Sequence, residues 1–234
     1  MTQPIKRLLV ITFWVSSLFS VPTSAQTLLD LSVGTSRQDN IFANMALRRQ
    51  FSERFRAGVE LQIAAPRYRF IGGKAITEGY AYTIAVPLLW KVYDRDRIRL
   101  DVYGRAGVRQ QGIIDPDGND RRDVRLNSTA LVIDPGLLVS VRVTDKLQAQ
   151  SGVTFPLFFE VSPNSLFENN ISTILAGLSY RVSDRKVFFV KTLAGPAAGG
   201  DGDTQKFVWS VQTGLRFSLG TRRSTHSLIM EPSY

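Results

Sequence analysis

Residues 207–219 read FVWSVQTGLRFSL, and apolar side chains occupy nearly every second position of this stretch. One set of alternate positions holds Phe207, Trp209, Val211, Thr213, Leu215, Phe217 and Leu219, and the other holds Ser210, Gln212, Gly214, Arg216 and Ser218. A period of two is that of a β-strand, whose successive side chains point to opposite faces. The stretch therefore predicts a strand with one apolar face and one face that is polar or small.

The same alternation recurs along most of the chain. Regular strands are predicted at 55–65, 98–108, 129–143 and 147–161, and less regular strands near 28–36, 41–50, 79–92, 171–182 and 186–194. Helical spacing does not persist, and after residue 25 no apolar run reaches the roughly 18 residues that a membrane-spanning helix needs. The predicted fold class is all-β, with about ten strands and a range of roughly 8 to 12.

The connections between these strands alternate in length. Four are short and charged, at residues 51–55 (FSERF), 93–97 (YDRDR), 143–147 (VTDKL) and 182–186 (VSDRK). Looser segments lie between them, at 36–40, 67–77, 113–127, 162–170 and 194–205. Short turns at one end and longer loops at the other are typical of outer-membrane barrels.

The first 25 residues have the features of a secretory signal peptide. Lys6 and Arg7 precede the apolar run 8–21, and small residues lead to a predicted cleavage after Ala25. Without these two cations, 27 basic residues remain against 20 acidic ones, a net charge of +7. The basic residues are spread along the chain and the protein is exported, so no nucleic acid partner is expected. The absence of cysteine excludes a disulfide or a thiolate metal site.

The polar face of the predicted strands carries many charges, with cations in excess. The predicted interior residues are Arg48, Arg56, Glu60, Lys91, Arg99, Asp101, Arg105, Arg109, Asp134, Arg142, Glu160, Arg181, Lys191 and Arg216, with Asp30 on the same face. In a narrow barrel such side chains pair across the interior, and small residues leave them room. A soluble sandwich or lipocalin-like barrel would instead turn its charges to solvent. These residues are expected to line a pore or to form a plug.

Aromatic residues fall near both ends of the predicted strands. Those close to short turns are Phe51, Phe55, Trp90 and Phe217, and those close to longer loops are Tyr80, Tyr82, Phe155, Phe159, Phe207 and Trp209. Two aromatic belts would mark two lipid interfaces. Residues 26–219 are therefore predicted to form a transmembrane antiparallel up-and-down β-barrel in contact with outer-membrane lipid, and residues 220–234 a periplasmic tail.

On its alternation, its turn asymmetry and its end strand 212–217, the chain resembles the small, porin-like outer-membrane β-barrels of Gram-negative bacteria. The resemblance implies an outer-membrane location and insertion by the barrel-assembly machinery, which reads such an end strand. The chain departs from the pattern in residues 220–234, because that signal usually closes a chain on an aromatic residue.

Known enzymes that are barrels of about this size offer little support for catalysis here. The omptin proteases, lipid A deacylases and palmitoyl transferases use His with Asp or Ser, whereas this chain has only His226, in the tail. The loop 115–120 has its glycine misplaced for a calcium-binding EF-hand, and 199–203 is predicted to be a flexible loop. No metal, cofactor or catalytic residue is expected.

Three functions follow from this interpretation. The first is a structural or surface-interaction barrel, monomeric by default, with a charged and largely plugged interior and a partner bound by the extracellular loops. The second is a narrow anion-preferring porin, since arginines raise the local concentration of anions. The third is a barrel enzyme acting on lipid or peptide.

Overall fold

The computed structural model describes residues 26–37, 39–69, 76–113, 128–161, 170–198 and 205–219. The predicted signal peptide 1–25, the tail 220–234 with His226, and the loop motifs 115–120 and 199–203 lie outside these ranges. Within them, no helix is long and apolar enough to cross a membrane.

The described residues form strands joined by turns. The strands are β1 (Thr27–Ser36), β2 (Ile41–Gln50), β3 (Phe55–Ala65), β4 (Arg67–Arg69), β5 (Ile76–Arg95), β6 (Ile98–Ile113), β7 (Ser128–Arg142), β8 (Leu147–Thr154), β9 (Leu157–Glu160), β10 (Asn170–Ile171), β11 (Thr173–Ser183), β12 (Lys186–Ala198) and β13 (Gln205–Leu219). Pro66 separates β3 from β4, and Pro156 lies between β8 and β9. Proline cannot donate to a strand ladder. Since β3 and β4, β8 and β9, and β10 and β11 each continue one another, the sheet contains ten barrel strands.

Each barrel strand pairs in antiparallel orientation with its neighbours in sequence, and the first strand also pairs with the last. Ten residue pairs join β1 to β13, from Thr27 opposite Leu219 to Ser36 opposite Ser210. The sheet is therefore a closed up-and-down barrel, and the predicted fold is confirmed.

All four predicted short turns lie at one end of the barrel. They are residues 51–54, 96–97, 143–146 and 184–185, and Thr27 and Leu219 lie at the same end. In the turn at 96–97, Asp96 has a φ of 54°, a left-handed conformation that Asp tolerates better than most residues. We call this the turn end, and the opposite one the loop end.

The two faces of the sheet are inverted relative to a soluble protein. Along β7, Leu131, Ile133 and Leu137 face outward with 47% of their surface exposed, whereas Asp134 faces inward with none exposed. Large apolar side chains are exposed around the whole wall, including Ile84 on β5. Charged groups seldom lie buried while apolar groups are exposed in water, but a membrane barrel places lipid on its outside.

Aromatic side chains meet at the turn end on the outward face. The ring centroids of Phe51 and Phe55 lie 6.0 Å apart, and those of Phe55 and Trp90 lie 5.7 Å apart. Towards the loop end, exposed aromatics include Tyr82 and Phe207. These positions agree with the two belts expected at lipid interfaces.

The interior has an apolar side that the sequence analysis did not predict. Leu175, Val187, Phe189 and Leu193 point inward from β11 and β12 and are buried. Near the loop end, a buried cluster is formed by Ala130, Val132, Phe158, Ile171, Ala197 and Val208. On β12, Val187, Phe189 and Leu193 face inward while Phe188 faces outward. Apolar residues therefore occupy both faces of β12, and its sequence alternates poorly.

Two inward-facing phenylalanines lie over glycines of neighbouring strands. Gly34 is paired with Phe42, and Gly214 is paired with Phe189. A Cβ added at Gly34 would lie 2.4 Å from the Phe42 ring, and one added at Gly214 would lie 2.7 Å from the Phe189 ring. An aromatic ring covering a glycine on the next strand is a device that stabilises curved sheets.

We expect Gly34→Val and Gly214→Val to destabilise the barrel by about 1–3 kcal/mol, because each forces a packed ring and a backbone carbonyl to move. Gly104→Val is the control, since a Cβ there would meet no atom within 4 Å. The measurement is the urea midpoint of the folded band in heat-modifiable gel migration. An equal loss in Gly104→Val would contradict the proposed packing.

Candidate functional site: the charged interior

A chain of buried ion pairs begins at the seam where the barrel closes. Asp30 on β1 lies directly opposite Arg216 on β13. Its carboxylate accepts from Arg216 Nε at 2.6 Å and Nη2 at 2.7 Å, and it also pairs with Arg48 on β2. One carboxylate thus joins three strands across the seam.

Glu60 on β3 continues the chain. Its Oε2 lies 3.3 Å from Arg48 Nη2, and its Oε1 lies 2.8 Å from Arg105 Nη2 on β6. β5 lies between β3 and β6, and opposite Glu60 it presents only the small, buried Ala85. The small side chain leaves room for the Glu60–Arg105 pair to cross over β5.

Asp134 is the most isolated carboxylate of this group. It lies directly opposite Arg105 in the β6–β7 register and is fully buried. Neither of its oxygens has a hydrogen-bond partner among the described residues, and the nearby Phe155 amide donates to the Pro135 carbonyl at 2.9 Å instead. Arg105 is therefore flanked by Glu60 and Asp134.

One buried aspartate near the loop end comes from a connection and not from a strand. Asp39 lies in the short link between β1 and β2, yet only 3% of it is exposed. It pairs with Arg109 of β6, and Gln62 Nε2 donates to it at 3.4 Å. The Asp39 amide donates to Ser36 Oγ at 2.8 Å, which turns the link inward.

The sequence analysis missed Asp39. Alternation assigns a face only to residues within a strand, and residues 36–40 are predicted to form a loop. The short length of that link was the available signal, because a connection of a few residues keeps its side chains close to the barrel mouth.

The structure places the predicted interior residues in three groups. The side chains buried inside the barrel are those of Arg48, Arg56, Glu60, Arg99, Asp101, Arg105, Arg109, Asp134, Lys191 and Arg216. Those at the turn end are Lys91, Arg142 and Arg181, of which Arg142 is exposed and Lys91 pairs with Asp94 at 3.0 Å. The backbone of Glu160 lies in β9, and its side chain is outside the described part of the structure.

Cations outnumber anions among the described buried side chains. The cations are Arg48, Arg56, Arg99, Arg105, Arg109, Lys191 and Arg216, and the anions are Asp30, Asp39, Glu60, Asp101 and Asp134. Arg99 and Asp101 pair at 2.6 Å on the same strand. No group of three or more His, Cys, Asp or Glu side chains in the described ranges is placed to hold a metal ion.

A closed sheet, an apolar exterior and charges confined to the interior together define the architecture. The chain has the fold of the outer-membrane β-barrels. A closed barrel satisfies all its backbone groups without water, which is what spanning a membrane requires, and barrels of this type reside in outer membranes. We assign the protein to that location.

Several solved structures of outer-membrane proteins are similar to the chain. The chain is similar to the translocator domain of the autotransporter NalP from Neisseria meningitidis, at 13% identity and a TM-score of 0.48, with 92% of this chain and 95% of that chain covered. It is also similar to an outer membrane channel from Pseudomonas putida F1, at 8% identity and a TM-score of 0.47, with 86% and 97% covered. The outer membrane protease OmpT from Escherichia coli is 9% identical, with a TM-score of 0.43 and 86% and 99% covered.

No family model matches the chain, and no curated protein sequence matches it. At such identities and TM-scores the structural likenesses carry nothing about function. The site must be interpreted from its own geometry.

We expect Glu60→Gln to destabilise the barrel by about 3–5 kcal/mol, because it leaves Arg48 and Arg105 buried without the carboxylate that both contact. Lys91→Gln removes the partly exposed Lys91–Asp94 pair and should cost about 0–1 kcal/mol. Urea midpoints of the two purified variants test this. Equal losses of stability in the two variants would show that the buried ion pairs contribute no more to stability than the partly exposed pair does.

Proposed function

We propose that the protein is a closed outer-membrane barrel with a structural or surface-interaction role, exercised through the loops at its loop end. The observation that carries this proposal is the continuous ion-pair chain Arg216–Asp30–Arg48–Glu60–Arg105, which reaches from β13 to β6. In a barrel of about this strand number, side chains can nearly fill the interior. An interior filled by mutually paired side chains leaves little space through which a solute could pass.

Two further features support a filled interior. Asp39 and Arg109 pair near the loop end, and Tyr103 packs with Leu89 and Leu138 on the turn side of Arg105. The large side chains Tyr103, Phe42 and Phe189 are each less than 3% exposed. We also propose that the barrel has no catalytic role, since its described residues include neither His nor Cys.

A narrow anion-preferring pore is the second candidate, and the excess of buried cations favours it. Fixed positive charges in a low-dielectric interior raise the local concentration of anions. Arg105 and Arg109 would be the residues that select the ion.

Planar-bilayer recording distinguishes the two functions. The purified full-length protein should give no stepwise currents, whereas the double variant Glu60→Ala, Arg105→Ala should conduct, because it removes both long side chains of the pair that crosses β5. Arg142→Ala, which truncates an exposed arginine at the turn end, is the matched control and should stay silent.

Stepwise currents from the unmodified protein would overturn the closed-barrel proposal. If those currents were selective for anions and fell in Arg105→Gln or Arg109→Gln, the pore would be the function. Silence of the double variant in a barrel that still shows heat-modifiable migration would indicate that other side chains keep the interior closed.

A further inference from the structure

The outward wall has a recess of about 310 Å³ on β1, β2 and β3, near the turn end. Its floor follows the strand register. One row is Thr27, Arg49 and Ala57, the next is Leu29, Leu47 and Val59, and Met45 pairs with Leu61 beyond them. The recess therefore has a cation in the row nearest the turn end and aliphatic side chains deeper in the wall.

Apart from Met45, of which 49% is exposed, this patch is more sheltered than other parts of the wall. Leu29, Leu47, Val59 and Leu61 are half-buried, whereas outward residues such as Ile63 and Ile174 expose about 60% of their surface. The small side chain of Ala57, beside Arg49, contributes to the depression.

The aromatic belt fixes the height of Arg49 relative to the membrane. Phe55, which contacts Phe51 and Trp90, lies two residues from Ala57 along β3, and Ala57 is paired with Arg49. Two strand residues span about 7 Å. Arg49 consequently lies just on the membrane side of the belt, the level at which arginine reaches phosphate groups while its stem covers apolar surface.

We propose that this recess is a binding site for one anionic phospholipid of the leaflet at the turn end. The phosphodiester of the headgroup pairs with Arg49, and an acyl chain lies along Leu29, Leu47, Val59, Met45 and Leu61. The recess is cationic at the interface and aliphatic below it. This arrangement is complementary to an anionic phospholipid, which has a negative headgroup and apolar acyl chains. Lipid is also the phase that the outward face of a membrane barrel contacts.

Native mass spectrometry of the detergent-solubilised full chain, titrated with phosphatidylglycerol or phosphatidylcholine, tests the site. We expect one phosphatidylglycerol molecule to be retained in preference to phosphatidylcholine. Arg49→Gln should weaken phosphatidylglycerol binding by about fivefold, the effect of one basic residue at a lipid surface, and Arg49→Lys should restore most of it. Ala57→Leu, which fills the recess, should weaken the binding of both lipids.

Arg54→Gln is the matched control, because it removes the same charge from the neighbouring turn, outside the recess. Equal weakening by Arg49→Gln and Arg54→Gln, or no preference between the lipids in the unmodified protein, would overturn the proposal. The proposal would also be overturned if the unmodified protein formed a dimer that dissociates in Ala57→Leu, because a second copy of the chain would then occupy the recess. A rise in lipid affinity on deleting residues 220–234, which follow Leu219 beside Thr27, would likewise assign the recess to that segment.

Discussion

Lipid offers no hydrogen-bond partner to a peptide group, so a sheet that crosses a membrane must satisfy its edges within itself. The ten residue pairs between β1 and β13 meet that requirement here. Closure also fixes the direction of each strand side chain, because alternate residues of every strand must face either lipid or the interior. The arginines and carboxylates at the inward positions are therefore buried as a consequence of the same pairing that completes the backbone ladder.

Because the ion pairs are buried, they help to fix the register of the strands. Asp30 meets Arg216 across the seam, and Glu60 meets Arg48 on the adjacent strand. A slip of one residue would exchange the two faces and place these charges in lipid, where an unpaired charge costs several kcal/mol. A slip of two residues would keep the faces but separate the carboxylates from their arginines. The pairs thus add little to net stability relative to apolar packing, but they penalise every wrong alignment of β13, β1, β2 and β3.

Where one face of a strand was polar, the sequence predicted both the strand and the orientation of its side chains. β7 and β13 show this, since Asp134 and Arg216 lie inward as their positions indicated. Prediction was weakest where both faces are apolar, as on β12, whose Phe188 faces outward and Phe189 inward. The sequence also did not predict which side chains pair inside the barrel. The Glu60–Arg105 contact, for example, depends on β5 presenting a small residue between them. Asp39 was missed because a residue outside a strand has no face to predict.

The ion pairs also differ in how readily they could separate. Asp30, Arg48, Glu60, Arg105 and Arg216 are all borne by strands whose backbones are hydrogen-bonded on both sides, so moving any of them apart requires the side chains alone to rearrange in a packed interior. Asp39 is different, because it is carried by the short link between β1 and β2. A link can change conformation without breaking a strand ladder, and connections generally open at a lower free energy than the core of a sheet. If the interior admits an anion, the Asp39–Arg109 pair is where access would begin, and separating it would leave Arg109 available to an anion that enters from the loop end.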